Sequence, residues 1–109
     1  MNWKLEYLPE VEKDLRQLSH SQLLVVRKAI AKVKENPLPQ NEGGYGKPLG
    51  SSRGTNLTGL LKVKLRGEGI RIVYKLIRTK EEMLIVVIGV REDNEVYEAA
   101  FRRRGKHGI

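Results

Sequence analysis

Four basic residues and one tyrosine in the second half of the chain are of types that could cleave an RNA backbone: Lys62, Lys64, Arg71, Arg91 and Tyr97. Cleavage through the 2′-hydroxyl needs a proton acceptor, a proton donor for the leaving 5′-oxygen, and positive charge beside the phosphorane-like transition state. General acid–base steps typically contribute about 10²- to 10⁴-fold each. These side chains could supply all three functions without a metal, provided that the fold brings them together.

Histidine and glutamate, which ribonucleases usually employ as acid and base, are poorly placed in this sequence. His20 lies between two predicted helices and His107 lies in the tail, while Glu68 and Glu92 flank the basic residues without sharing their pattern. A lysine base would need a pKa well below its usual value of about 10.4. Neighbouring like charges lower a lysine pKa. We therefore hypothesise that the basic cluster itself supplies this shift.

A β-hairpin can bring the basic residues together, and its register can be tested against polarity. With Gly67-Glu68 as a two-residue loop, one face pairs only apolar residues: Leu65 with Ile70, Val63 with Ile72, and Leu61 with Tyr74. The other face then places Lys64 directly opposite Arg71, with Lys62 two residues along. Like charges opposed across a ladder destabilise it by roughly 0.2 to 1 kcal/mol. Something other than stability must favour them.

Hydrophobic periodicity predicts the elements that precede this hairpin. Residues Asn2 to Tyr7 alternate as in a half-buried strand. Pro9 suits the first position of a helix, and Ser19 with Gln22 has the form of a capping box that starts a second helix. The second helix ends near Asn36-Pro37. An N-terminal strand and a helical hairpin are therefore expected.

The remainder of the chain begins with a long connection. Residues 37–56 carry five glycines and three prolines and show no periodicity, and loops of this length are usually functional or disordered. A C-terminal helix that carries Tyr97 is expected to start near Asp93 or Asn94. Between the long connection and the C-terminal helix lie three strand-like segments that form an antiparallel meander: Leu57 to Leu65, Gly69 to Ile77, and Met83 to Val90.

The third strand should extend the pattern of the hairpin. Tyr97 lies six residues beyond Arg91, about the reach that a helix needs to fold back across the face of Arg71. The five candidate residues are therefore expected to converge on one face of an α+β fold that forms a single domain, residues 1–109. Arg91 joins that face if the apolar face continues through Leu84, Val86, Ile88 and Val90.

Composition limits the class of partner. The net charge is +8, and it is concentrated in residues 51–109, which hold thirteen basic and seven acidic residues against eight and six in residues 1–50. This favours a polyanion such as nucleic acid, with an acidic protein or a membrane surface as alternatives. The chain has no cysteine, which excludes disulfides and thiolate zinc sites. We expect a cytoplasmic protein that needs no cofactor or metal and has no membrane segment.

Several segments resemble the RelE branch of the RelE/ParE toxins in order and spacing: Leu61-Lys62-Val63-Lys64-Leu65, Gly69-Ile70-Arg71-Ile72-Val73-Tyr74, Ile88-Gly89-Val90-Arg91 and Glu95-Val96-Tyr97. The resemblance covers essentially the whole chain, including the N-terminal strand, the helical hairpin and Lys47-Pro48-Leu49 in the long loop. The two lysines combined with the later Arg91 and Tyr97 are its most specific feature. The resemblance implies a RelE-like fold, related to that of microbial ribonucleases.

The resemblance also implies roles for the candidate residues. Lys62 and Lys64 would serve as general base and phosphate binders, and Arg71 would stabilise the strained phosphate. Arg91 would act as general acid or charge stabiliser, and Tyr97 would stack on or orient the nucleotide. One departure is Val90, where basic residues can precede the family arginine, and this substitution would weaken RNA affinity without removing catalysis.

A RelE-like protein is implied to be a metal-free ribonuclease that enters the ribosomal A site and cuts the codon there. Its partners would be the ribosome, messenger RNA and an acidic, RelB-like antitoxin that holds it in check, and the antitoxin-bound complex would bind operator DNA. Further contacts with RNA are expected from basic residues outside the catalytic set: Lys47, Arg53, Arg66, Arg102 and Arg103. The run Arg102-Arg103-Arg104 could equally be a solvated helix end that complements the helix dipole.

Two other functions fit parts of the pattern. A ParE-like toxin has the same fold and binds DNA gyrase without catalysis, but it would not need the two lysines with Arg91 and Tyr97. A basic RNA-binding module that does not cut would lose binding, with no cleavage to lose, when Arg91 or Tyr97 is replaced by alanine. A nuclease would instead lose cleavage while its fold and antitoxin binding stay intact.

Overall fold

The computed structural model describes residues 3–52, 54–90 and 93–109, except the side chains of Ser52 and Asp93. Its helices are α1 (Val11–Arg16), α2 (His20–Val33) and α3 (Asp93–His107). Two short 3-10 helices cover Gln40–Glu42 and Arg78–Lys80. The strands are β1 (Lys4–Tyr7), β2 (Lys47–Pro48), β3 (Ser51–Ser52), β4 (Thr55–Asn56), β5 (Leu60–Leu65), β6 (Ile70–Ile77) and β7 (Glu82–Gly89).

Five strands form one mixed sheet in the order β1-β7-β6-β5-β2, while β3 and β4 form a separate hairpin. β1 runs parallel to β7, and the other neighbours in the sheet are antiparallel. Parallel strands cannot be joined by a short turn, and the chain between β1 and β7 consists of the α1–α2 hairpin and the other strands. The pairing of β1 with β7 therefore joins the N-terminal strand to the last strand of the meander. The predicted α+β architecture of N-terminal strand, helical hairpin, meander and C-terminal helix is confirmed.

The predicted capping box opens α2. The Ser19 hydroxyl accepts a hydrogen bond from the Gln22 amide at 3.2 Å, and the Gln22 side chain accepts one from the Ser19 amide at 2.9 Å. Val26, Ile30 and Val33 follow at helical spacing and are buried. They contribute to one core with the buried face of the sheet and with Leu8 and Val11. No helix in the described parts of the chain is long and apolar enough to span a membrane.

The β5–β6 hairpin has the predicted register. Lys64 pairs with Arg71, and the turn is closed by hydrogen bonds from the Glu68 amide to the Leu65 carbonyl and from the Gly69 amide to the Arg66 carbonyl. The apolar face pairs Leu65 with Ile70, Val63 with Ile72, and Leu61 with Tyr74.

The prediction that β7 continues this apolar face throughout is wrong. Val73 pairs with Val87 but the next residue, Tyr74, pairs with Ile85, so the strand carries one extra residue at Val86. This irregularity puts Leu84 opposite Lys75, on the other face of the sheet. All residues from Met83 to Ile88 are buried. Because both sides of the strand are apolar, the strand tolerates the change in which face each side chain points to.

The segment of residues 37–56 contains a strand of the main sheet. β2 pairs with β5 so that Lys47 lies opposite Lys62 and Pro48 opposite Leu61. The buried Tyr74 hydroxyl donates to the Pro37 carbonyl at 2.7 Å and so ties the segment to β6, and burial raises the pKa of Tyr74 above its ordinary range. Gly46 lies so close that an added Cβ would clash with the Tyr74 hydroxyl. The backbone before Lys47 is therefore fixed by packing.

A buried ion pair joins both ends of the chain to β7. The Asp14 carboxylate accepts hydrogen bonds from Arg103 at 2.6 and 2.9 Å and from the Ile88 amide at 3.0 Å. The Arg103 guanidinium also donates to the Val86 carbonyl at 2.9 Å. β1 pairs with β7 only as far as Ile85. The two side chains therefore satisfy backbone groups of β7 beyond the end of β1.

A second contact holds the end of α3 against the start of α1. The His107 ring nitrogen lies 2.9 and 3.0 Å from the two Glu10 carboxylate oxygens, and Lys106 lies 3.2 Å from one of them. The pKa of Glu10 is lowered to about 2, chiefly by the hydrogen bond from its own backbone amide, with burial opposing and His107 and Lys106 adding to the effect. The ionised form of Glu10 is therefore favoured in the folded state.

We expect this carboxylate to make stability depend on acid pH. Because the folded pKa is about 2 and the ordinary value is 4.5, its contribution is complete above about pH 4.5 and is lost as pH falls toward 2. The melting temperatures of the wild type and Glu10→Gln should therefore differ by their full amount above about pH 5 and converge on acidification. A difference that stayed constant across this window would contradict the assignment.

Candidate active site on the basic face of the sheet

The strand pairings gather the predicted basic residues on one face of the sheet. Lys47 lies opposite Lys62, and Lys64 lies opposite Arg71. Paired residues point to the same side of a sheet, as do residues two positions apart in one strand. We call the face that carries Lys47, Lys62, Lys64 and Arg71 the basic face.

The basic face borders an open cleft of about 640 Å³. Its lining comes from β5, from the turn that follows β5 and from the segment around β2: Gln40, Tyr45, Lys47, Lys62, Val63, Lys64 and Arg66. An open cleft suits an extended strand better than a small enclosed molecule. Its cations suit the phosphates of such a strand.

Lys62 and Tyr97 are in direct contact, although 35 positions separate them in the chain. The Lys62 ammonium donates to the Tyr97 hydroxyl at 2.6 Å, and it lies 5.4 Å from the centre of the ring. Both residues are half-buried. α3 packs against β6 and β7 through its buried residues Val96, Ala99 and Ala100, and this packing brings Tyr97 to the basic face. The predicted convergence of this pair is seen in the fold.

Lys64 and Arg71 lie side by side with different surroundings. Lys64 is exposed, while Arg71 is half-buried and donates to the Gly69 carbonyl at 2.9 Å. The turn before β6 therefore helps to orient the Arg71 guanidinium. The Lys64 ammonium is accessible to a ligand from solvent.

The cations of the cleft are not neutralised by acids within the described chain. Lys47, Lys62, Lys64 and Arg66 form no ion pair there. Elsewhere the protein does pair its arginines, as in the contacts of Arg78 with Glu42 and of Arg103 with Asp14. Concentrated positive charge beside a concave surface attracts anions. This part of the surface is thus suited to bind a polyanion.

Two of the other candidate residues, Arg102 and Arg103, are not brought to the cleft. Arg53 and Arg91 lie outside the described residues. Arg102 is exposed on α3 and lines a different, smaller cavity beside Lys13 and Val90. Arg103 donates to Asp14 and to the Val86 carbonyl. The predictions that Arg103 contacts RNA or lies at a solvated helix end are therefore wrong.

Two residues of the cleft were missed by sequence reasoning, Gln40 and Tyr45. Both lie in the aperiodic segment before β2, where no pattern fixes the direction of a side chain. The available signal was composition, because Tyr45 is a single aromatic residue among Gly43, Gly44 and Gly46. Among the residues in the described ranges, no group of three histidines or acids could hold a metal ion.

Comparison with known proteins connects this geometry to characterised relatives. No protein-family model matches the chain. It is 28% identical over 103 residues to the mRNA interferase toxin RelE of Escherichia coli strain K12, covering 94% of this chain and 98% of the relative. The mRNA interferase RelE of Shigella flexneri is similar to the same degree and over the same length.

Solved structures give the same result. A free mutant form of E. coli RelE superposes with a TM-score of 0.70 at 27% identity, covering 94% of this chain and 98% of that one. A mutant E. coli RelE in complex with an antitoxin RelB peptide superposes with a TM-score of 0.67 at 26% identity, covering 92% of this chain and 95% of that one. A chain of the RelBE2 toxin–antitoxin complex of Mycobacterium tuberculosis has 21% identity and a TM-score of 0.67. It shares the fold over 85% of this chain and 95% of that one.

Proposed function

We propose that this chain, which is RelE-like in sequence and in fold, is the toxin of a toxin–antitoxin pair and an endoribonuclease that cleaves messenger RNA in the ribosomal A site. The relatives named mRNA interferases match it over nearly its whole length. The observation that carries the proposal is the pair Lys62 and Lys64 on β5, which form no ion pair within the described residues and of which Lys62 contacts Tyr97. These are the groups that cleavage through the 2′-hydroxyl requires.

The proposed reaction needs only side chains of the protein. A base on β5, Lys62 or Lys64, accepts the proton of the 2′-hydroxyl, whose oxygen attacks the adjacent phosphorus. The bond from phosphorus to the 5′-oxygen breaks, and that oxygen takes a proton from an acid or from solvent. We assign to Arg91 the role of this acid or of the cation that stabilises the negative charge on the leaving oxygen. The products are a 2′,3′-cyclic phosphate and a free 5′-hydroxyl.

The remaining groups act on charge and orientation. Arg71, opposite Lys64 in the ladder, stabilises the additional negative charge of the transition state, and such stabilisation is often the largest single contribution to catalysis. Tyr97 stacks on or orients a nucleotide. Its hydroxyl is held by Lys62, so its ring is positioned before RNA arrives. Lys47 and Arg66, which also line the cleft, bind neighbouring phosphates.

The proposal includes the partners of a toxin. E. coli RelE has been solved with an antitoxin RelB peptide, and we propose that a RelB-like antitoxin holds this chain in check. A net charge of +8 suits an acidic antitoxin by electrostatic complementarity. We propose also that the toxin acts in the cytoplasm on ribosomes, and that the antitoxin-bound complex binds operator DNA.

The test is to map messenger RNA 5′ ends in a reconstituted translation mixture with the wild type, Arg91→Ala and a control, Lys80→Ala. Lys80 is exposed and follows the end of β6 opposite to Arg71. We expect new ends inside A-site codons with the wild type and the control. Arg91→Ala should reduce them by about 10²- to 10⁴-fold, and no ends should form when ribosomes are omitted.

The competing functions predict other results. A gyrase-binding toxin resembling ParE would produce no new ends while still arresting growth. An RNA-binding module that does not cut would also produce no ends, but Arg91→Ala and Tyr97→Ala would weaken its binding to RNA. Either result would contradict the nuclease.

A further inference from the structure

We propose that Tyr45 is a second base-stacking platform, which holds one base of the messenger RNA whose phosphates lie along the lysines of the basic face. This inference rests on the proposed function, since it concerns how the same site holds its substrate. It adds a specificity-determining residue from the segment that precedes β2. The ligand group is an unpaired base of single-stranded RNA.

The Tyr45 ring is placed where a base would have to lie. It lines the same cleft as Lys47, Lys62 and Lys64. Lys47 follows it by two residues in the chain and pairs with Lys62 across the ladder, while Lys62 contacts Tyr97. A strand whose phosphates rest on these lysines therefore passes close to Tyr45, and at Lys62 it also meets Tyr97.

Tyr45 does not have the surroundings of a structural aromatic residue. The residue is 44% exposed and is absent from the hydrophobic core. Its hydroxyl forms no hydrogen bond to any residue in the described ranges. Tyr74 is the contrast, because it is fully buried and its hydroxyl bonds to Pro37. Packing of the core thus gives no account of the aromatic side chain at position 45.

The backbone that carries Tyr45 is nevertheless well held. The Tyr45 amide donates to the Asn36 carbonyl at 3.3 Å, and the Gly46 amide donates to the Leu38 carbonyl at 3.1 Å. The Asn36 side-chain amide donates to the Gly43 carbonyl at 3.1 Å. A ring on a fixed backbone loses little conformational freedom when a base stacks on it. The platform is therefore preorganised.

The electrostatic surroundings of the ring also favour a nucleotide. The Lys32 ammonium lies 5.4 Å from the centre of the Tyr45 ring, in a cation–π contact. This cation supports one side of the ring and adds positive charge near the backbone of a bound strand. Gln40, which also lines the cleft, has an amide that can both donate to and accept from a base edge.

The test uses ribosomes with an empty A site and synthetic messenger RNAs in which each nucleotide of the A-site codon and the one after it is made abasic in turn. Abasic ribonucleotides keep the 2′-hydroxyl, so the cleavage chemistry is unchanged. The proteins are the wild type, Tyr45→Ala, Tyr45→Phe and Tyr7→Ala. Tyr7 is the matched control, because it is also 44% exposed but lies in β1, at the opposite edge of the sheet.

We expect Tyr45→Ala to raise the protein concentration for half-maximal cleavage by about 5- to 150-fold, the effect of losing one base–aromatic stack. Tyr45→Phe keeps the ring and should act as the wild type does, as should Tyr7→Ala. One abasic position should impair the wild type to the same extent and add no further loss in Tyr45→Ala. This non-additivity is what contact between the two groups produces, and a merely structural role of Tyr45 would not.

Two results would overturn the proposal, and they differ. If the wild type cleaves, and each abasic position reduces cleavage by Tyr45→Ala as much as it reduces cleavage by the wild type, the stacking platform is wrong while the nuclease stands. If the wild type cleaves no A-site codon, the proposed function fails and the platform fails with it. Thermal melts of the four proteins identify any loss that comes from unfolding.

Discussion

Replacing Lys64 by alanine should lower the rate of A-site cleavage by about 10²- to 10⁴-fold with little change in stability. Lys64 is exposed and forms no ion pair within the described chain. Its side chain therefore contributes little to folding, and its place opposite Arg71 is slightly unfavourable. A residue that costs stability at an accessible site is expected to be retained for what it binds.

The conservative variant Lys64→Arg separates two roles of the lysine. An arginine keeps the positive charge but is already protonated at ordinary pH, so it cannot accept a proton as a base. If Lys64 is the base, Lys64→Arg should be as inactive as Lys64→Ala. If Lys64 only binds phosphate, Lys64→Arg should keep most of the activity.

The same pair of substitutions at Lys62 completes the comparison. Lys62→Ala also releases the Tyr97 hydroxyl, so we expect a loss even if Lys62 is not the base. The double variant Lys62→Ala/Lys64→Ala should lose less cleavage rate than the product of the two single losses, because the effects of groups that act in the same step are not additive. Single-turnover cleavage of ribosome-bound messenger RNA is the measurement, with Lys80→Ala as control. Full activity of both alanine variants would exclude β5 from the chemistry.

The largest expected effect on stability comes from breaking the ion pair between Asp14 and Arg103. The two side chains are only 10% and 16% exposed, and Asp14 also accepts from the Ile88 amide. Asp14→Ala should lower the free energy of unfolding by about 3 to 5 kcal/mol, because it leaves a buried guanidinium without its counter-ion. Denaturation in urea should show a lower midpoint with an unchanged slope.

An exposed ion pair of the same geometry provides the control. Arg78 and Glu42 are joined by hydrogen bonds of 2.6 and 2.9 Å, as Arg103 and Asp14 are. Their side chains are 53% and 42% exposed, so Arg78→Ala should lower the free energy of unfolding far less than Asp14→Ala does. Equal losses at the two sites would mean that burial does not set the strength of the Asp14 contact.

Part of this protein could be predicted because it depends on local alternation along the chain. The register of β5 and β6 follows from polarity, since a slip of one residue would bring Lys62 and Lys64 into the core and expose Leu61 and Val63. The start of α2 follows from Ser19 and Gln22, because a capping box is satisfied within one turn of helix. The approach of Lys64 to Arg71 was thus determined by the sequence alone.

Other features carry no local pattern, and only the tertiary structure decided them. β2 has two residues, too few to show a period, so the pairing of Lys47 with Lys62 and the place of Tyr45 in the cleft depend on how the segment packs against β5 and Tyr74. The extra residue at Val86 leaves no trace in a strand that is apolar on both sides.

The role of Arg103 depends on Asp14, which is 89 positions away in the chain. An arginine near a helix end has the same sequence pattern whether it meets water, RNA or a buried carboxylate. Which of these it meets is settled only when α1 and α3 pack beside β7. Alternation of polarity thus determined the pairs within one hairpin, and contacts between distant segments determined the rest, because their free energy depends on packing that no short stretch of sequence contains.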